Sequence, residues 1–477
     1  MPTFTNFGGN VRFQPRTFYE PRDEGELLEI LERHRDGRIR VIASRHAWSD
    51  GIVSDDVLVA MRHFNSVEIH EQDGEFSVTV GGGCQIKHLL AKLNERGLTL
   101  PSVGLITQQT IAGATATGTH GSGRHSLSHY LTSVRIACYR GEQGAAVLVD
   151  VAQGDALRAA RCSLGCLGVV VSVTLPCVPQ YQIIESPRPC RTVDEALSSE
   201  PDHPLQQFFL FPHQWGYCAQ QRAVVDQPRS RSAAIYRLYW FLGIDIGLHL
   251  LIKLFACWLH SRTLVAALYR RLLPLMLFPR WKVVDRSDRM LVMEHELFRH
   301  LELEAFVPKE RIADAARFVE AVLKQADGAP VDLPQDVDAR LEAAGLRDDF
   351  AALRGVFSHH YAVCFRRVLR DDTLISMTAG DSDWWYAISF ITYRRPRDDF
   401  YQMAEFLAHS LLELYGGRIH WGKWFPLDSA DIERMHPRLS RFREIVGEFD
   451  PHGVFQNKFT AKILQPAATA STAKPSH

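Results

Sequence analysis

Residues 114–125 read ATATGTHGSGRH: three glycines, four Thr or Ser hydroxyls and two histidines, with no acid and almost no bulk. So little side chain cannot supply a packed face. The stretch is therefore either a surface loop or main chain pressed against another molecule. In the longer run GLITQQTIAGATATGTHGSG (104–123), Gly113, Gly118, Gly121 and Gly123 permit positive φ and close approach. Thr110, Thr115, Thr117 and Thr119 add hydroxyls, and successive N–H groups in such a turn form a nest for an anion. A diphosphate suits this design; a glycine-rich surface loop is the alternative. Two commoner nucleotide signatures are missing. GGGC (81–84) fails G-x-G-x-x-G because residue 86 is Ile, and no acid follows about 20 residues on. No G-x-x-x-x-G-K-[S/T] occurs either.

The chain has 477 residues, enough for two or three domains. A formal net charge of −1 removes the electrostatic argument for nucleic acid as a partner. Nine cysteines without a C-x-x-C pair argue against a structural zinc site and against a disulfide framework. No metal is expected, and a reducing, cytoplasmic setting is. The first residues, MPTFTNFGGNVRFQPRTFYEP, lack a basic stretch followed by an apolar run, so no signal peptide is expected.

Alternating short elements mark the first part. Residues 22–36 have helical spacing, 38–44, 57–61 and 76–83 are β-branched runs, and 85–97 read as a helix closed by Gly97. This predicts an α+β module to about residue 178. The texture changes at 236–282, which is rich in large apolar residues and carries seven Lys or Arg against one acid, Asp245. Asp245, His249 and Lys253 interrupt its apolar runs, which argues against a membrane crossing. Two readings stand: a buried helical pair, or basic amphipathic helices on a membrane surface or lining an apolar substrate entrance.

Four separated motifs then occur in one order. VIASRHAWSDG (41–51) ends a strand in small residues around His46, about 65 positions before the Gly/Thr run. RCSLGCLGVVVSVTL (161–175) leads small residues into a strand, GGRIHWGKWFP (416–426) contains H-W-G-K, and HPRLSRFREIVGEFDPHGVFQNKF (436–459) contains D-P-x-G-x-F-x-N. Together they resemble the aldonolactone oxidase and alditol oxidase branch of the vanillyl-alcohol-oxidase-type (PCMH-type) FAD flavoproteins. The resemblance covers roughly 20–178 and 290–460 and leaves 236–282 outside. It implies an α+β, two-domain PCMH-type fold with a cap of antiparallel sheet plus helices. The expected parts are an FAD domain at 1–178, a cap or substrate domain at 179–410, a segment at 411–460 returning to the flavin, and a disordered tail at 461–477.

The resemblance also implies residues. The cofactor is FAD, held by Ser44, Arg45, His46 and Ala47, by Gly104, Thr110, Gly113, Thr117, Gly118, Thr119 and His120, and by Val169 on the adenine side. His46 is the expected covalent anchor, although Arg45 and Ala47 replace the usual Gly and Ser; tight noncovalent FAD is the alternative. Lys423 and His420 of H-W-G-K fall beside the isoalloxazine, where a fixed cation stabilises charge on the reduced ring. Arg366 is expected to orient substrate oxygens. The family's E-x-R is altered, with Cys364 in place of Glu, and Ser389 is the polar group on the following strand. A thiol removes the obvious acceptor for a sugar hydroxyl. The base is open, with His420 and His120 as candidates.

The implied activity is oxidation of a CH–OH group of a sugar lactone or polyol, hydride passing to flavin N5 and electrons to O₂ or a carrier. Gly104 stands where Gly accompanies oxygen use in this branch. Two alternatives remain. One is a dehydrogenase for a more apolar or lipid-linked alcohol at a membrane surface. The other is a non-catalytic flavin-fold interaction module, against which Arg366 and Lys423 speak.

Overall fold

The computed structural model describes residues 2–140, 144–279, 281–293, 297–393 and 397–466. Two larger sheets build the first part, with a small antiparallel pair, Phe4–Thr5 and Arg12–Phe13, ahead of them. A parallel sheet has the order Thr17–Tyr19, Val57–Ala60, Ile39–Ile42. An antiparallel sheet has the order Ala146–Val151, Ser133–Tyr139, Val169–Pro179, Glu75–Gly81, Val67–Gln72, with Leu98–Thr99 beside Val169–Pro179. The helix expected over 22–36 forms as Glu24–Arg33. Asp23 caps it, and Leu27, Ile30 and Leu31 give it a buried stripe. The helix expected over 85–97 forms as Ile86–Glu95, followed by Gly97 at φ +67°.

Strand Val169–Pro179 alternates between buried and half-buried positions as far as Val178. Val169 is thereby turned into the core with Leu27, Leu31 and Tyr139. Gly168 and Val170 are the residues that line the central cavity. The expected cofactor contact at Val169 is thus displaced by one residue to each side, and the period of the strand is the reason.

The second part is an eight-stranded antiparallel sheet. Its order is Val283–Arg286, Gln182–Cys190, Gly216–Val225, Gln207–Phe211, Val363–Leu369, Trp384–Tyr393, His300–Pro308, Arg418–Ile419. In His300–Pro308, Leu301, Leu303 and Ala305 join the core with helices Ile312–Ala326 and Asp398–Tyr415, while Glu302 and Glu304 face the cavity. A boundary expected at 410/411 falls inside Asp398–Tyr415, which continues until Gly416 takes φ +63°. The last expected part also changes. Residues 461–464 belong to the helix Lys458–Leu464, capped by Asn457, and 467–477 lie outside the described residues.

The apolar 236–282 segment forms two helical stretches, 233–258 and 262–276, with wide turns over Trp240–Leu248, Lys253–Trp258 and Leu268–Leu272. Ile252, Val265, Leu268, Tyr269 and Leu273 tie this hairpin to Phe211, Cys218, Tyr361 and Tyr393.

Candidate active site

One cavity of about 1250 Å³ runs between the two parts. On the first side it is walled by turns with little side chain. Ser44, Arg45, His46 and Ala47 line it after strand Ile39–Ile42, with Arg45 held at φ +62°. His46 stacks on Phe7, centroids 5.2 Å apart. Gly104, Thr110, Gly113, Thr117, Thr119 and His120 line the opposite wall. Thr110 caps the turn by accepting the Gly113 N–H at 3.4 Å. A Cβ on Gly113 would lie 3.1 Å from Thr110 Oγ1 and 3.5 Å from Ala43, closing the gap between the two turns. Gly118, by contrast, does not line the cavity. At φ +77°, with Met377 filling the space a side chain would need, it turns the chain so that Thr117 and Thr119 face inward.

The C-terminal motifs hold this cradle from behind. Asp450 accepts the N–H groups of Val454 at 2.7 Å and Phe455 at 2.9 Å. Asn457 donates to the carbonyls of Asp50 and Val53, and Arg40 donates to those of Gly51, Leu164 and Phe455. Trp421 is fully buried, donates to the Ile375 carbonyl and stacks on His436. With Trp421 anchored, His420 and Lys423 reach the cavity. Trp48 bonds the same turn through Gly422 and carries the Lys423 ammonium 4.5 Å above its ring.

The sheet side supplies the charges. Phe209, Cys364, Ser389 and Glu304 are direct partners across four neighbouring strands. The carboxylate missing at Cys364 is therefore present two strand spacings away, about 10 Å, at Glu304. Cys364 lines the cavity as a thiol that burial pushes up to about 11. Ser389, on the same face between Cys364 and Glu304, does not line it; it is buried beside Arg366, and its hydroxyl donates to Glu304 Oε1 at 2.9 Å. Ser389, expected as a polar group toward the substrate, is thus covered on the cavity side and positions Glu304 instead. Arg366 lies 3.5 Å from Glu304 and donates to Gln207 Oε1 at 3.2 Å. Lys423 pairs with Glu302 at 2.5 Å.

Both carboxylates remain ionised. Burial alone would raise Glu304, but His120, Lys423 and His420 around it hold it well below the usual carboxylate range. Burial opposes the charge of Glu302 too, yet Lys423 and His300 bring it down to about 2. The histidines divide by tautomer. His120 Nδ1 faces the Gly121 carbonyl at 2.9 Å and must carry a hydrogen, which leaves Nε2 directed at Glu304, 3.4 Å away. His420 Nδ1 accepts the Gly422 N–H at 2.9 Å, so its proton is on Nε2. Burial, with Lys423 and His120 adding to it, pushes His420 down to about 3. His420 is a neutral donor with no lone pair facing the cavity, so of the two candidate bases only His120 offers one.

His120, Glu304 and His420 bring ligand atoms within 4.8 Å of one another. The Gly422 N–H on His420 fixes the tautomer that turns a hydrogen toward this centre, and Arg366 and Lys423 flank it. This donor set suits a bound oxygen better than a cation. Glu302 and Glu304 are the functional residues that sequence reasoning missed. The signal was the alternation L-E-L-E at 301–304, two acids on one face of a strand whose other face is apolar.

The cradle on the first side fits FAD, being long, lined by main chain and floored by Gly82, Gly83, Gly165 and Gly168. The sequence model of an FAD binding domain matches residues 15–144, and that of D-arabinono-1,4-lactone oxidase matches 173–463. A long-chain alcohol oxidase of an uncultured marine euryarchaeote is 45% identical over 96% of this chain and 96% of its own. The L-gulonolactone oxidase of Mus musculus is 25% identical over 97% of this chain and 98% of its own. Among solved structures, a cholesterol oxidase from B. sterolicum superposes with a TM-score of 0.74 at 14% identity, covering 97% of this chain and 96% of that one. The fold is thus the two-domain PCMH type. With the carboxylate, arginine and lysine of a redox site facing its FAD cradle, the chain belongs to the D-arabinono-1,4-lactone oxidase family of FAD-dependent oxidoreductases.

Proposed function

We propose that the CH–OH substrate is an alcohol bearing a long apolar chain. The observation that carries this is the cavity beyond Cys364, walled by Phe209, Phe211, Ile252, Tyr269, Leu273 and Ile391. Its polar neighbours are engaged with one another. Gln207 donates to Gln220, and both Arg222 and Tyr236 donate to Glu185, each at 2.5 Å. Little is left there to recognise a row of sugar hydroxyls. The 45% identical relative named for a long-chain alcohol supports the same reading. A sugar lactone or polyol is the second reading, supported by the family match and by the L-gulonolactone oxidase relative.

Bound FAD supplies the two-electron acceptor for the hydride leaving the carbinol carbon. The protein's part is orientation and proton transfer. Arg366, steadied by Gln207 and Glu304, holds the substrate oxygen. The hydroxyl proton passes to His120 Nε2, and Glu304 at 3.4 Å stabilises the imidazolium. Lys423, fixed by Glu302, keeps a positive charge at the cavity wall. Molecular oxygen is the acceptor in this reading, Gly104 leaving that wall without a side chain. FAD is attached through His46, and the enzyme is cytoplasmic with peripheral membrane contact through 236–282.

The test is anaerobic bleaching of the flavin by 1-alkanols of rising length and by L-gulono-1,4-lactone. Each added methylene contributes up to ~0.8 kcal/mol, so kcat/KM should rise about fourfold per carbon until the arm is full. Fast bleaching by the lactone with no rise along the alkanols would favour the second reading instead.

A further inference from the structure

The hairpin 233–276 is one helix thick, and both of its sides are apolar. Its inner side lines the cavity with Leu238, Phe241, Ile244, Leu248 and Ile252. Its outer side exposes Ile235, Leu242, Leu250, Trp258, Leu259 and Leu275. Trp258 at the tip and Leu275 near the end of the returning stretch are each 74% exposed, so apolar exposure runs the length of the hairpin and marks a surface built to be covered.

Charge identifies what covers it. Residues 236–282 carry a net +6 within a chain whose net charge is −1. Arg262, Arg270, Arg271 and Lys282 are exposed, whereas the single acid, Asp245, is on the cavity side. A second copy of the chain would set two such cationic faces against each other. A sheet of anionic headgroups over hydrocarbon meets both the cations and the apolar side chains. The stretch Ala233–Trp258 is long and apolar enough to span a bilayer by length and composition, with a mean hydropathy of 1.7 over 18 of its residues. Yet Asp245 and His249 on its inner side line the cavity, and Ile252 is packed in the core, so the helix lies along the interface.

The cavity opens onto this same face. Leu238 and Leu297 both line it and are 54% and 49% exposed. At these two residues the cavity wall reaches the surface, and Leu238 lies about one helical turn from Ile235 and Leu242 near the base of the hairpin.

We propose that the outer face of the hairpin docks on an anionic phospholipid bilayer, and that the substrate passes from the bilayer into the cavity through the mouth at Leu238 and Leu297. The second half rests on the long-chain alcohol reading; the docking does not. The experiment uses the full-length, FAD-loaded protein and vesicles of equimolar phosphatidylcholine and phosphatidylglycerol. Wild type should pellet with these vesicles, less with phosphatidylcholine alone, and less as salt is raised. The combined variant Trp258→Ser, Leu259→Ser and Leu275→Ser, none of which lines the cavity, should bind at least about tenfold more weakly. It should oxidise soluble 1-hexanol at the wild-type rate and vesicle-borne 1-hexadecanol about tenfold more slowly. A second variant, Arg271→Glu with Lys282→Glu, keeps the apolar face and should lose the preference for phosphatidylglycerol. Equal pelleting of wild type and the serine variant overturns the docking, as does a dimer that the serine variant dissolves without any vesicle binding. If the variants separate in pelleting while no alcohol bleaches the flavin, docking is supported and the substrate reading falls.

Discussion

Glu304 keeps its charge in a fully buried position among the donors His420, Lys423, Arg366 and Ser389, and His120 Nε2, 3.4 Å away, joins them once it has taken a proton. Removing that charge leaves Arg366 and Lys423 with one carboxylate fewer between them. Glu304→Gln should therefore lower kcat by about 10²–10³-fold, the usual scale of a lost proton-transfer partner, and cost roughly 3 kcal/mol of stability. Turnover, together with flavin retention and thermal unfolding, checks both. His46 makes a separate prediction. It faces the cradle and stacks on Phe7, so if it carries the covalent bond, His46→Ala turns an acid-stable yellow pellet colourless. A yellow supernatant from the wild type itself would assign noncovalent FAD. At this scale the sequence was uneven. Arg366, Lys423 and His120 were legible as motif positions, while Glu304 was not, because its importance comes from facing Cys364 across Ser389.

Two elements show how turns set the site. The Gly104 turn packs closely on the one that follows it, for an added Cβ would lie 2.7 Å from Thr119 Cγ2. Gly104→Ala must push Thr119 aside as well as narrow the cavity, and it should slow reoxidation by air about tenfold while changing anaerobic reduction little. Stopped-flow traces of the two half-reactions separate these effects. The D-P-x-G-x-F-x-N motif turned out to be a clamp: its Asp450 and Asn457 bond main chain, and no side chain of 450–457 lines the cavity. A motif can thus be diagnostic of a family and touch no substrate. Val169 shows what strand period adds to a motif. Its motif was right, and strand alternation placed its neighbours, Gly168 and Val170, at the cavity.

For the molecule as a whole, buried neutral histidines set the acid limit. Burial lowers His249 and His360 to about 4 each and His420 to about 3. Each stays neutral in the fold but charges in the unfolded chain below its ordinary value near 6.5. The unfolded state therefore takes up more protons in that window. Stability is complete above about 6.5 and falls as pH drops toward about 4. The unfolding midpoint should decline over this interval, and His360→Gln, away from the cavity, should flatten the decline. A midpoint unchanged down to about pH 4 would contradict the burial of these groups.

The primary structure alone determined the cofactor cradle, the family and the order of the motifs, because a main-chain nest needs small residues at fixed short spacings and these survive as a readable string. Only the tertiary structure decided which side chains build the cavity wall. Glu304, Cys364 and Phe209, with Ser389 supporting Glu304 from the strand between, come from four separate strands and become one row through sheet register. The apolar arm likewise exists only where the hairpin closes over that sheet, since a cavity belongs to no single segment of chain.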